Sequence, residues 1–235
     1  MKNKILIVGY FLFATATFFA QRKNVDYLPT FDKRKVHYGF YLGLNQNDFK
    51  FSLRDNPNVP NASISVEPQA GFNVGLIADL RLHKNLNLRL EPGLMTNSKR
   101  LIFNNDLITR PQDSARDVSS TYFHVPLLLK FSTDRYRNIR PYILGGISYD
   151  YNLSSNQDNQ DDNSAGQFRM QTHNFMYEVG IGIDIYLYFF KFSPSIRGVF
   201  AINNEVVYDD DPNSRWTAPI NFMGTRGVFL SFAFE

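Results

Sequence analysis

A chain of 235 residues with 22 Phe, 13 Tyr and 1 Trp but a mean hydropathy of −0.29 is too polar for a bundle of membrane-spanning helices, and it is richer in aromatics than most soluble domains. A formal charge of +3 gives no reason to expect a nucleic-acid partner, and 0 Cys means that an exported fold must hold without disulfides. The combination suits a transmembrane β-barrel.

The first element is a leader over residues 1–20. Lys2 and Lys4 precede an apolar run, Ile5 to Ala20, and cleavage is expected between Ala20 and Gln21, although Phe18 is bulky for the −3 position. A retained anchor helix is the alternative, and the run is short for a bilayer span. Loss of the leader takes the formal charge from +3 to +1 by removing Lys2 and Lys4. Next comes a polar arm, residues 21–36, "QRKNVDYLPTFDKRKV". Pro29 favours extended backbone. Tyr27, Leu28 and Phe31 form an apolar patch between Arg22–Lys23 and the cluster Lys33, Arg34, Lys35, so the arm is a candidate partner-docking segment. A floppy tail is the plainer expectation for a terminus.

Residues 37–235 then alternate. In "HYGFYLGLNQNDF", Tyr38, Phe40, Leu42 and Leu44 share one face, and Gly39, Tyr41, Gly43 and Asn45 the other. The pattern repeats in "GFNVGLIADLRL", "NLNLRLEPGL", "TYFHVPLLLKF", "RPYILGGISYDYNL", "FMYEVGIGIDIYL", "KFSPSIRGVFAIN" and "GVFLSFAFE", with Ile77 an apolar exception on the polar face. Each of the eight segments is about ten residues long, enough for a tilted strand to cross a bilayer. Short joins near 83–85, 133–138 and 188–190 alternate with long polar ones over 54–69, 102–118, 154–172 and 204–221. A soluble β-sandwich would also alternate, but strand length, loop asymmetry and the leader favour an all-β, eight-stranded antiparallel up-and-down barrel of the outer-membrane type. Its short turns and both termini would lie in the periplasm, and its apolar face would meet lipid.

The inner face carries Asp79, Arg81, Arg89, Glu91, Lys130, Glu178, Asp184 and Arg197, expected to form an interior salt-bridge network because buried charges must pair. His124 joins them as a hydrogen-bonded imidazole. The four His show no metal spacing with a second His or Cys, so no zinc site is expected, and no cofactor or small-molecule substrate is implied. Ser119 and Ser120 near His124 are the sole hint of hydrolase chemistry, and loop serines are common. Asp158, Asp161, Asp162 and Asp209, Asp210, Asp211 could attract calcium, but they lack the spacing and glycine of a calcium loop, and solvated acidic loops are the simpler expectation. Arg135, Arg137 and Arg140 surround one short turn and make a basic rim that could dock an acidic partner.

The stretch "FDKRKVHYGFYLGLNQNDFKF" resembles the start of the PorT/SprT family of the type IX secretion and gliding-motility machinery. So do "STYFHVPLLLKF" followed by "RPYILGG", then "YEVGIGID", "KFSPSIR" and "LSFAFE", which together span nearly all of the chain after the leader. "FDKRKVHYGFYLGLN" and "FHVPLLLK" are the more specific pieces, since many outer-membrane barrels share the others. The resemblance implies an integral outer-membrane barrel required for protein export by the type IX route, with other secretion proteins as partners and no catalytic residues. The expected role is a non-enzymatic accessory or assembly component of that apparatus. The alternative is a general small barrel, structural or adhesive, acting through its acidic loops.

Overall fold

The computed structural model describes residues 25–108, 114–158 and 168–235; the leader, Arg22, Lys23, Asp161 and Asp162 lie outside them. A one-turn 3-10 helix (Phe31–Lys33) precedes ten strands: β1 (Val36–Leu53), β2 (Ser63–Pro68), β3 (Ala70–Arg81), β4 (Leu86–Leu90), β5 (Gly93–Asn104), β6 (Ala115–Ser132), β7 (Ile139–Asn152), β8 (His173–Tyr186), β9 (Lys191–Ala201) and β10 (Ile220–Phe234). No helix among the described residues is long and apolar enough to cross a membrane.

The ten strands make eight staves. β4 and β5 keep one register against β6, from Leu86↔Phe131 to Ile102↔Ala115. They are interrupted at Glu91–Pro92, where proline has no N–H to give. β2 and β3 are likewise one stave with a bulge: pairing to β5 slips by one residue between Pro68↔Lys99 and Asn73↔Met95. Every pairing is antiparallel between chain neighbours, and β1 closes the ring by pairing with β3 on one side and β10 on the other. This is the expected eight-stave up-and-down barrel. Closure removes the sheet edges that lipid could not satisfy.

Alternation decides which way each side chain turns. Leu76, Ile143, Ile147, Val179, Ile181 and Val228 are all more than half exposed on the outer wall. Outward apolar runs such as Leu86–Leu94 and Phe175–Ile185, at about 3.3 Å per residue and a tilt of about 40°, span roughly 20–25 Å along the barrel axis, the height of a lipid-facing band. On the inner side Ile77, Leu128, Tyr41, Tyr122, Tyr142 and Phe229 are buried across the bore. Glycines set the spacing there. A Cβ at Gly75 would lie 2.6 Å from the Tyr41 ring, and Gly93 and Gly182 make the same allowance for Tyr41 and Tyr142.

Toward the long-loop end the pattern changes phase. In β1 the apolar residues move from the outer row (Tyr38, Phe40, Leu42, Leu44) to the inner row (Phe49), while Asp48 and Lys50 turn outward. In β5 Leu101 and Phe103 are buried inside with Arg100 outside, and in β6 Val118 is inside with Asp117 outside. The wall therefore leaves the apolar band and continues as an ordinary water-facing sheet. Inside it, Phe49, Leu101, Phe103, Met170, Trp216 and Met223 form an apolar plug. This corrects the expected loop limits of 54–69 and 102–118: β2 lies within the first, and β5 and β6 run into the second. Following a single apolar face ends a stave at the point where its phase inverts.

Arginine at Val179 or Ile181, in the middle of the band, is expected to cost about 2–4 kcal/mol of folding free energy in lipid vesicles. Arginine at outward Ser65, beyond the band, should change stability by less than about 0.5 kcal/mol. Denaturant titration into vesicles measures both, and equal costs at the two levels would contradict the band assignment.

Candidate functional site

The bore is organised around charge. Register places Asp79 opposite Arg89, and the guanidinium bonds the carboxylate at 2.8–2.9 Å. Arg89 also reaches Glu235 at 2.6 Å and Glu91 at 3.4 Å. Glu235 in turn meets Lys191 at 3.0 Å. Glu91 passes the chain to Arg197 at 2.9 Å, Arg197 to Glu178 at 3.2 Å, and Glu178 to His124 Nε2 at 3.1 Å; His124 Nδ1 lies 2.5 Å from Asp150. Beside this ladder Lys130 bonds Asp184 at 2.7 Å, and the Ser193 hydroxyl donates to the same carboxylate. Arg197 fits because Gly180 faces it, where a Cβ would come within 2.6 Å of Arg197 Cγ. The signs alternate along the ladder, so each of its buried charges has an opposite neighbour, as a low-dielectric bore requires.

Of the residues expected in an interior network, Asp79, Arg89, Glu91, Lys130, Glu178, Asp184 and Arg197 are buried in the bore. Arg81 is not among them: it is half-buried at the short-turn rim and donates to the Asp32 carbonyl at 2.6 Å, because β3 ends there. His124, Asp150, Lys191 and Glu235 complete the ladder. Inward parity marks the first three in the sequence, but their partners across the bore are set by stagger, which parity does not carry. The hinted hydrolase pair is not assembled. Ser119 points outward to Ser98 at 3.0 Å, while both His124 nitrogens face carboxylates. In the acidic loop before β10 Asp209 is buried and accepts from Thr217 at 3.0 Å and from Ser214, and it pairs with Arg169 at 3.3 Å. Among the described residues no group of three or more His, Cys, Asp or Glu is placed to hold a metal ion.

The arm closes the short-turn mouth. Phe31 stacks on His37 with centroids 4.3 Å apart, and Lys191 Nζ, at the foot of the ladder, sits 4.8 Å from the Phe31 ring. Asp32 accepts from Tyr186 at 2.6 Å and from Arg140 at 3.3 Å, with Arg135 at 3.6 Å. Arg135 lies over the Tyr186 ring at 3.7 Å and donates to the Leu28 carbonyl at 3.3 Å and to that of Tyr27. Asn138 accepts from Tyr27 N at 2.9 Å and donates to the Val25 carbonyl at 2.8 Å. Of the expected partner anchors, Tyr27, Leu28 and Phe31 are thus taken up by the barrel itself, and residues 25–35 are not a loose tail. Lys33, Arg34 and Lys35 remain exposed. Arg140 is buried as part of the socket rather than free on a basic rim.

Replacing Arg197 with Met leaves Glu91 with only its 3.4 Å ionic contact to Arg89 and Glu178 with only that to His124, and is expected to cost about 3–5 kcal/mol. Replacing Arg226 with Met breaks an exposed pair with Asp48 and should cost less than about 1 kcal/mol. Urea unfolding in detergent micelles compares them; similar losses would mean that the ladder does not hold the bore.

A family model described as "Outer membrane protein beta-barrel domain" matches residues 19–207. No curated protein matches the chain. Similar solved structures include the outer membrane protein OprG from Pseudomonas aeruginosa, at 14% identity over 85% of this chain and 93% of that one, with a TM-score of 0.44. Neisserial surface protein A is 11% identical over 86% and 97%, with a TM-score of 0.49. The outer membrane protein AlkL, solved in DMPC bilayers, is 14% identical over 83% and 88%, with a TM-score of 0.42. The family match covers most of the sequence, and the chain belongs to the outer membrane protein beta-barrel domain family.

Proposed function

We propose that this outer-membrane barrel is a non-enzymatic accessory or assembly component of the type IX protein secretion apparatus, with its short turns, arm and C-terminus in the periplasm. The observation that carries the reading is the overlap of two features. "FDKRK", which opens the most specific stretch of resemblance to the PorT/SprT family, is also the segment that the mouth binds through Phe31 and Asp32 while Lys33, Arg34 and Lys35 stay exposed. A segment held this closely at a membrane protein's rim is suited to working in an assembly. The filled bore argues against a conduit, because eight staves leave space for their own side chains and little more. The action then falls to the rim, the arm and the loops.

The second reading, a structural or adhesive barrel, draws on the plugged outer lobe, where Met170 pairs with Val206 between two of the long loops. A deletion strain separates the two. The proposed role predicts that type IX cargo stays in the periplasm, that other outer-membrane barrels assemble normally, and that the intact gene restores export. Normal export with reduced surface attachment would overturn it in favour of the second reading.

A further inference from the structure

We infer that the short-turn rim beside the arm is a docking surface for a periplasmic protein that presents an apolar knob flanked by carboxylates. The inference deepens the proposed role and rests on it for orientation, since an assembly component with a filled bore has to act through a surface.

The β8–β9 turn is tight. Leu187 N donates to the Phe190 carbonyl at 2.9 Å, which leaves Tyr188 and Phe189 as the two tip residues. Such tips usually hold Asn, Asp or Gly. Here they are aromatic, and Phe189 at 83% and Tyr188 at 69% are among the most exposed large apolar residues described, together with Tyr136 at 71% on the neighbouring turn. Leu187 and Phe190 complete the outward rows of β8 and β9, Phe190 packing toward Phe234 at 6.0 Å. The lipid-facing wall is therefore finished before the tip begins.

The tip also leans toward the mouth. Tyr188 meets Tyr27 edge-on at 5.9 Å, and Tyr27 is anchored over the mouth by Arg135 and Asn138. The two turns are tied together, Tyr186 N donating to the Asn138 carbonyl at 2.9 Å. Tyr188 is thus held by the arm and Phe189 packs edge-on against it at 4.6 Å, so docking there would immobilise less than on a free tip.

Charge selects the partner. The side chains of Lys33, Arg34 and Lys35 enter no ion pair or hydrogen bond among the described residues; of the nearby carboxylates Asp26 is exposed and two others are engaged. Asp32 is held by Tyr186 and Arg140, and Asp134 pairs with Lys84 at 2.8 Å. Exposed aromatics and exposed cations on the same rim fit an apolar anchor with acidic flanks, the aromatics supplying affinity and the cations steering.

The test places the photo-crosslinker p-benzoylphenylalanine at position 189 in the full chain in living cells, with a control at position 181 on the lipid-facing wall. The expected result is a protein adduct at 189 and lipid adducts at 181. The protein adduct should fall at least tenfold in a Lys33→Glu/Arg34→Glu/Lys35→Glu background, and in isolated outer membranes at high salt. Phe189→Glu should lower type IX export at least tenfold while the barrel remains heat-modifiable; Lys35→Glu alone serves if the triple variant fails to assemble. Lipid adducts alone at 189, or a protein adduct indifferent to charge reversal, would each overturn the docking surface, as would normal export by Phe189→Glu where deletion of the whole chain blocks export. If deleting the whole chain leaves export intact while the charge-dependent adduct persists, the proposed secretion role fails and the surface stands. If deletion blocks export but Phe189→Glu does not, the surface fails and the role stands.

Discussion

A side chain that turns away from lipid in an eight-stave barrel enters a bore with almost no water, so every inward charge must find its counter-charge on another stave. The ladder from Lys191 through Glu235, Arg89, Glu91, Arg197 and Glu178 to His124 and Asp150 meets that constraint. The rest of the structure follows from it. Large cations need small neighbours, hence Gly180 opposite Arg197; tyrosines that fill the remaining space need Gly75, Gly93 and Gly182. A residue lost from the ladder leaves its partner charged and buried, which costs more than the pair contributes.

The two ends of the barrel are closed in different ways. At the long-loop end the alternation inverts, and an apolar plug forms above the membrane band as in a water-soluble sheet. At the short-turn end the closure is largely polar and made by one short segment. Residues 27–32 fold over the mouth, Asp32 enters a socket of Tyr186, Arg140 and Arg135, and Phe31 covers the last lysine of the ladder. The described part of the arm is thus tied to the barrel at several points, and a binding surface built on it is preformed.

Much of this was legible in the sequence because a strand's period is two and a bilayer sorts residues by face. Parity alone places Leu42, Leu127 and Ile181 outward and Arg89, Lys130 and Glu178 inward. It is weaker where a second rule competes. Arg81 has inward parity but sits at a stave end, where the nearest acceptor is a backbone carbonyl of the arm. β2 and the upper reaches of β5 and β6 read as loop because their apolar residues change face. Which carboxylate meets which cation depends on stagger, and stagger comes from bulges such as the one at Gln69–Ala70. The arm's own binding site is spread over residues more than a hundred positions away, such as Arg135, Asn138 and Tyr186, and no local pattern links them to Tyr27 or Asp32.

The central claim is that the ladder and its aromatic neighbours fill the bore, so that the protein works by its surfaces. Conductance of the purified full chain in planar lipid bilayers tests this most directly. The account predicts no steady conductance, both for the intact chain and after residues 22–34 are removed, because the ladder closes the bore without the arm. A stable open state of porin size in either form would contradict it.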